Sequence, residues 1–140
     1  MIYIATDCQD DLSKFNNELV TFKKVADRHR EEKFISLFSL PYIWHICSRT
    51  GCSCGFRNDN LEIGFTEPED WFPEDKDSIK ATRQVYKTLS NILKTGIRTD
   101  CLSVWSDVEN DDIKTIEISF KEIKEKQFRF FTNYLFKITG

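Results

Sequence analysis

The sequence predicts an α+β fold: a single domain, residues 1–140, in which a mostly antiparallel sheet of five or six strands carries one long helix, about residues 78–95, on one face. Three observations predict it. Ile79, Thr82, Val85, Tyr86, Leu89, Ile92 and Leu93 recur at spacings that place them on one helical stripe, while Lys80, Arg83, Gln84, Lys87 and Lys94 fall elsewhere. Ile116, Ile118 and Phe120 alternate with Thr115, Glu117 and Ser119, the period-two pattern of a strand with one face on a core. A chain of 140 residues, 40% hydrophobic with twelve Phe and three Trp, can fill one core without disulfide or metal staples.

Taken in order, Ile2 to Ala5 is a short apolar run ended by Thr-Asp and suits a first strand. Leu12, Phe15, Leu19 and Phe22 stand three and four apart and predict a helix over 10–25, although Asn16 and Asn17 are poor helix formers. Residues 26–33 are almost wholly charged, a solvated face or loop that places His29 in water. Phe34 to Leu40 reads equally as a last helical turn or a strand, and Pro41 interrupts it.

Tyr42 to Cys47 and Cys52 to Phe56 flank Ser48-Arg49-Thr50-Gly51 and predict a β-hairpin. A four-residue loop would set Cys47 opposite Cys52, His45 opposite Cys54 and Ile43 opposite Phe56, with Trp44 over Gly55 on the other face. Leu61, Ile63 and Phe65 alternate as a further strand. The long helix follows: Asp75 and Asp77 crowd its start, Lys94 lies in its last turn and Gly96 marks its stop, an order that suits the helix dipole. Strands at Ile97 to Trp105, Lys114 to Phe120 and near Tyr134 to Ile138 complete the sheet, the first two joined by an acidic turn at Asp107 to Asp112.

Composition narrows the function. Twenty basic residues against twenty-three acidic ones, with no basic stripe, disfavour a nucleic-acid partner. The chain starts without a basic segment followed by a long apolar run, and no stretch approaches the length that spans a bilayer, so the expectation is a cytoplasmic protein without a membrane partner. A reducing compartment would keep its five Cys as thiols unless a metal takes them.

Two groups of residues could carry function. His45, Cys47, Cys52 and Cys54 are ligand types that zinc prefers, and the predicted hairpin puts all four on one side. Their x1, x4 and x1 spacings on extended strands form a rectangle more readily than a tetrahedron, so burial as packing residues outweighs a zinc or thiol-redox role. The second group is the block Glu67 to Asp77, with six carboxylates among eleven residues and Trp71-Phe72 between two prolines. Glu67, Glu69, Asp70, Glu74 and Asp75 could steer a cationic surface that Trp71 anchors, while an ordered calcium loop with an internal Gly is absent. The competing reading makes Trp71 and Phe72 pins to the core and the later acids helix-terminal charges.

The blocks Cys52-Ser53-Cys54-Gly55-Phe56, Glu67-Pro68-Glu69-Asp70-Trp71-Phe72-Pro73-Glu74, Thr99-Asp100-Cys101 with Trp105 after it, and Phe128-Arg129-Phe130-Phe131 resemble recurring blocks of a family of small, uncharacterised bacterial proteins. The resemblance runs from about residue 42 to the end and implies no activity. Small acidic α+β bacterial proteins of this size are often toxin-neutralising immunity proteins. With no Gly-rich phosphate loop, Gly-x-Ser-x-Gly or His-Glu-x-x-His in the chain, the sequence leans to a non-enzymatic binding protein with a basic protein partner and no cofactor; a zinc-binding or thiol-redox protein built on the His45, Cys47, Cys52 and Cys54 hairpin is the alternative.

Overall fold

The computed structural model describes residues 1–25, 32–49, 55–59, 64–68, 74–94, 98–105 and 107–140. Its strands are β1 (Ile2–Thr6), β2 (Val20–Lys24), β3 (Tyr42–Ser48), β4 (Asn58–Asp59), β5 (Thr99–Ser103), β6 (Lys114–Ser119), β7 (Phe130–Phe131) and β8 (Tyr134–Thr139). The helices are a single turn, α1 (Glu32–Ile35), and the long α2 (Lys76–Leu93). Six strands form one sheet in the order β2-β3-β1-β5-β8-β6, every neighbouring pair antiparallel except β6 with β8. β4 and β7 make a separate two-residue parallel pair. This is the predicted α+β architecture.

α2 begins where the sequence concentrates acid. Asp75 caps it by accepting from the Ser78 amide at 2.9 Å and the Ser78 hydroxyl at 3.2 Å. Ala81, Val85, Leu89, Ile92 and Leu93 are buried against the sheet, and fully burying a side chain the size of Val or Leu is worth about 1.5–3 kcal/mol. Two buried threonines on the same stripe satisfy their hydroxyls locally, Thr82 on the Ser78 carbonyl and Thr88 on the Gln84 carbonyl.

The central strands β1 and β5 are buried on both faces. On the helix side lie Ile2, Ile4, Phe22, Trp44, Ile46, Cys101, Phe136 and Ile138; on the other, Tyr3, Ala5, Ile43, Leu102 and Leu135 pack under Phe34, Leu37, Phe38, Val108 and Ile113. Cys8 and Cys101 belong to the first layer, as packing residues.

Two expectations are corrected, and a third falls largely outside the described residues. The helix over 10–25 is a single 3₁₀ turn, Leu12–Phe15, followed by β2. Asn16 and Asn17 cause the change: Asn17 Oδ1 accepts from the amides of Leu19 and Val20, and Asn16 Oδ1 from that of Phe22, so the side chains take amides that a helix would need. The hairpin register also fails. Both edges of β3 are occupied, by β1 and β2, and His45 pairs with Tyr3 and Lys23 rather than with Cys54. Gly55 lies against Ser48, not Trp44; a Cβ on Gly55 would stand 2.6 Å from Ser48 Cβ, so only glycine fits. The alternation of Leu61, Ile63 and Phe65 falls largely outside the described residues, and Gly64 and Phe65 are in a loop, with Gly64 at φ +70°.

Candidate functional site

Strand register brings several chain segments to one end of the sheet. Ile2 pairs with both Ile46 and Ser103, Ser103 with Tyr134, and Tyr134 with Lys114, so Ser48, Val104 and Asn133 all lie at that end. α2 packs with its N-terminus toward it, as an exposed Arg49–Asp77 ion pair at 3.7 Å records. Asn58 joins through its Nδ2 donating to Ser103 Oγ at 2.8 Å, and its Oδ1 accepts from the Thr132 hydroxyl at 2.8 Å.

The densest polar assembly among the described residues sits here, and the sequence did not mark it. Arg57 is buried, its side chain 2% exposed, and all its N–H donors are used. Nε and Nη2 reach Glu74 Oε1 and Oε2, each at 2.9 Å, in the two-pronged geometry that suits a guanidinium and a carboxylate. Nη1 donates to the carbonyls of Lys126 and Phe128, and Nη2 also to that of Thr66 at 2.8 Å. Arg129, equally buried, donates to the Thr66 carbonyl at 3.0 Å and lies 3.5 Å from Glu74 Oε2. The backbone is tied as well: the Arg57 amide donates to Thr82 Oγ1 on α2, and its carbonyl accepts from Phe130.

Around these charges Phe56, Phe65, Phe128, Phe130, Phe131 and Phe136 meet ring to ring, mostly edge-on or tilted. The apolar surround strengthens the ion pairs within it. The Arg57 hydrogen bonds, above all, hold the Glu74 carboxyl below its ordinary range, with the charges of Arg57 and Arg129 adding to them against the opposing effect of burial.

The arrangement has a consequence for the acidic block. Thr66 and Glu74 are the residues on either side of 67–73, and both are bound by the same two arginines. Of the predicted binding residues, Glu67 is exposed, Glu74 is turned inward as the clamp's acid at 15% exposure, and Asp75 is spent as the cap of α2. Glu69, Asp70 and Trp71 lie outside the described residues. A cleft of about 300 Å³ opens beside the clamp between Glu67 and Pro68 on one side and Ile79, Arg83 and Glu125 on the other.

The His/Cys set is only partly placed. His45 and Cys47 share a face of β3, with Cys47 Sγ 3.9 Å from His45 Nδ1; Cys52 and Cys54 lie outside the described residues. His45 stacks on Tyr3 at 5.1 Å between centroids, and its Nε2 has no hydrogen-bond partner. Burial, with the nearby N-terminal and Lys23 charges, lowers its pKa and favours neutral imidazole. Among the described residues no three His, Cys, Asp or Glu side chains gather as a metal site, and no helix is long and apolar enough to cross a membrane.

A signal for the clamp was present in Phe128-Arg129-Phe130-Phe131 and in Gly55-Phe56-Arg57. A charge embedded in an aromatic run is either at the surface by alternation or buried with a partner, and the partner here is 17 residues from Arg57. No protein-family model, curated protein or solved structure matches the chain.

Proposed function

We propose that the chain is a non-enzymatic binding protein, an immunity-type inhibitor in character, that meets a basic protein partner with the 67–73 segment. The observation that carries this reading is the clamp: two buried arginines hold Thr66 and Glu74 together, fixing both ends of a segment that contains Glu67, Glu69, Asp70 and Trp71. A segment closed at its base has less freedom to lose on binding, and that gain appears directly as affinity. A buried ion network is weak evidence for stability in itself, because apolar residues of similar volume often serve as well. Its use to present a recognition segment is a role that apolar packing could not fill with the same geometry.

In this reading Glu67, Glu69 and Asp70 steer the approach of a cationic surface and Trp71 anchors it; Glu74 and Asp75 act from behind, as clamp and cap. Charge complementarity acts chiefly on the association rate. The test is capture of the partner by cross-linking in bacterial extract, followed by kinetics with that partner purified. The expected partner is basic, its association rate falls steeply as salt rises, and the combined reversal Glu67→Lys, Glu69→Lys and Asp70→Lys slows association at least about tenfold. Salt-insensitive association, or unchanged association after the reversal, overturns the reading.

A further inference from the structure

The two edges of the sheet are finished differently. At β2 the outward backbone groups are taken within the chain: Asn17 Oδ1 accepts from the Val20 amide, the Asn17 amide donates to the Val20 carbonyl, and Asn16 Oδ1 accepts from the Phe22 amide. β6 is the other edge. Its Lys114 amide donates to the Asn133 carbonyl, so Lys114, Ile116 and Ile118 bond toward β8, while Thr115 and Glu117 between them aim both N–H and C=O away from the sheet. Among the described residues none meets those outward groups. An open row of backbone donors and acceptors is a template for another strand.

The side chains along this edge select the strand that fits. Ile116 is half-buried against the α2-side core, and Lys114, Thr115 and Glu117 are exposed. A strand from an identical chain, antiparallel across a two-fold axis, must set outward-facing residue against outward-facing residue, which allows only every second register. With Thr115 opposite Glu117 of the second copy, 114–118 pairs with itself, Ile116 meets its own copy on the α2 face, and the Thr115 hydroxyl faces a carboxylate that accepts from it. The next register sets Glu117 opposite the second copy's Glu117, like charges directly opposed. The one before it pairs only 114–116. β6 is therefore self-complementary in a single register.

We propose that β6 is a homodimer edge, joined to β6 of a second copy with Thr115 facing that copy's Glu117, so that two sheets become one. A single strand edge buries less than the roughly 1,200 Å² of a stable interface, so the dimer is expected with a Kd between about 10 µM and 1 mM. This contact uses neither the clamp nor the 67–73 segment.

The experiment is sedimentation equilibrium of the intact chain, under reducing conditions so that no Cys links the copies, from about 10 µM to about 1 mM. The expected result is a rise in mass from the 16.5 kDa of one chain toward twice that value. Glu117→Pro removes an outward N–H and leaves the β8 ladder intact, so it should abolish the dimer in a chain that still folds. Thr115→Lys and Thr115→Glu test the register. The first gains an opposite charge across the axis and should tighten the Kd about threefold or more; the second gains a like charge and should weaken it by as much. Thermal melts of each variant confirm that it is folded. A chain that stays monomeric at about 1 mM, a dimer unchanged in folded Glu117→Pro, or Thr115→Lys and Thr115→Glu moving the Kd in the same direction overturns the proposal.

Discussion

Glu74 and Asp100 are both carboxylates drawn in from water, and their acidities move in opposite directions. Glu74 receives two hydrogen bonds from Arg57 and lies beside Arg129, so its ionised form is favoured. Asp100, 1% exposed in the middle of β5, has Arg98 as its one ion-pair partner among the described residues, with Nη2 donating to Oδ2 at 3.4 Å, and its Oδ1 lacks a hydrogen bond. There burial prevails over the charges of Arg98 and Lys137, and the pKa rises. Depth alone therefore does not decide what a buried acid is; the number and geometry of its donors do. Glu74 is a structural anion, while Asp100 is an acid held under protest by its strand.

The comparison breaks most visibly at Arg57. Arg57→Met leaves the Glu74 carboxylate without its two-pronged partner and the carbonyls of Thr66, Lys126 and Phe128 without donors, so we expect a loss of about 3–5 kcal/mol by urea denaturation. Replacing the whole network, Arg57→Met with Glu74→Leu and Arg129→Met, removes the stranded charges together and should be markedly less destabilising than the single change. If the triple variant is the worse of the two, the clamp is a net source of stability and its presentation role loses its main argument.

Much of this fold was legible in the sequence, and what was not has a common cause. α2 could be read from its stripe and its acidic start because helix periodicity and capping are local properties of Leu89, Val85, Asp75 and their neighbours. β6 and β8 were legible for the same reason. The clamp was not, since Arg57 finds Glu74 and Arg129 finds Thr66 only after the sheet, α2 and the aromatic cluster are in place. The β3 error was of the same kind: Tyr42 to Ser48 is correctly a strand, but its neighbours come from residues 2–6 and 20–24, a long-range choice that a nearby turn cannot reveal. At Asn16 and Asn17 the apolar spacing was outvoted by side-chain oxygens binding backbone amides.

Acid pH separates the two carboxylates more gently. Glu74 is held below the ordinary Glu value of about 4.3, so its stabilisation is present above that value and lost as pH falls through the lower folded-state one. Asp100 is held above the ordinary Asp value of about 3.9; the folded chain binds its proton more tightly, so its contribution is present below that value and lost as pH rises through the higher folded-state one. Urea midpoints of Glu74→Gln should therefore lose part of the wild-type fall in stability toward acid, while Asp100→Asn should lose a slope of opposite sign. Parallel pH profiles for the two variants would erase the distinction.

The smallest effect on stability is expected at Trp105, which sharpens the comparison by leaving the interior untouched. Trp105 is 66% exposed at the clamp end of the sheet, its amide donating to Asn133 Oδ1 at 3.3 Å, with the acidic turn to Asp112 following it. Asn133 itself is held at φ 66°, its backbone amide donating to the Ser103 carbonyl, so the backbone beneath the indole is fixed without help from the ring. Trp105→Ala should change unfolding stability by less than about 0.5 kcal/mol, because little contact is lost. If the partner's footprint extends from the 67–73 segment across this end, the same substitution should raise its dissociation rate at least about tenfold, as loss of a Trp anchor does in a desolvated interface. An unchanged dissociation rate would confine recognition to the clamped segment, and a large loss of stability would mean that the indole packs in solution against residues it does not touch here.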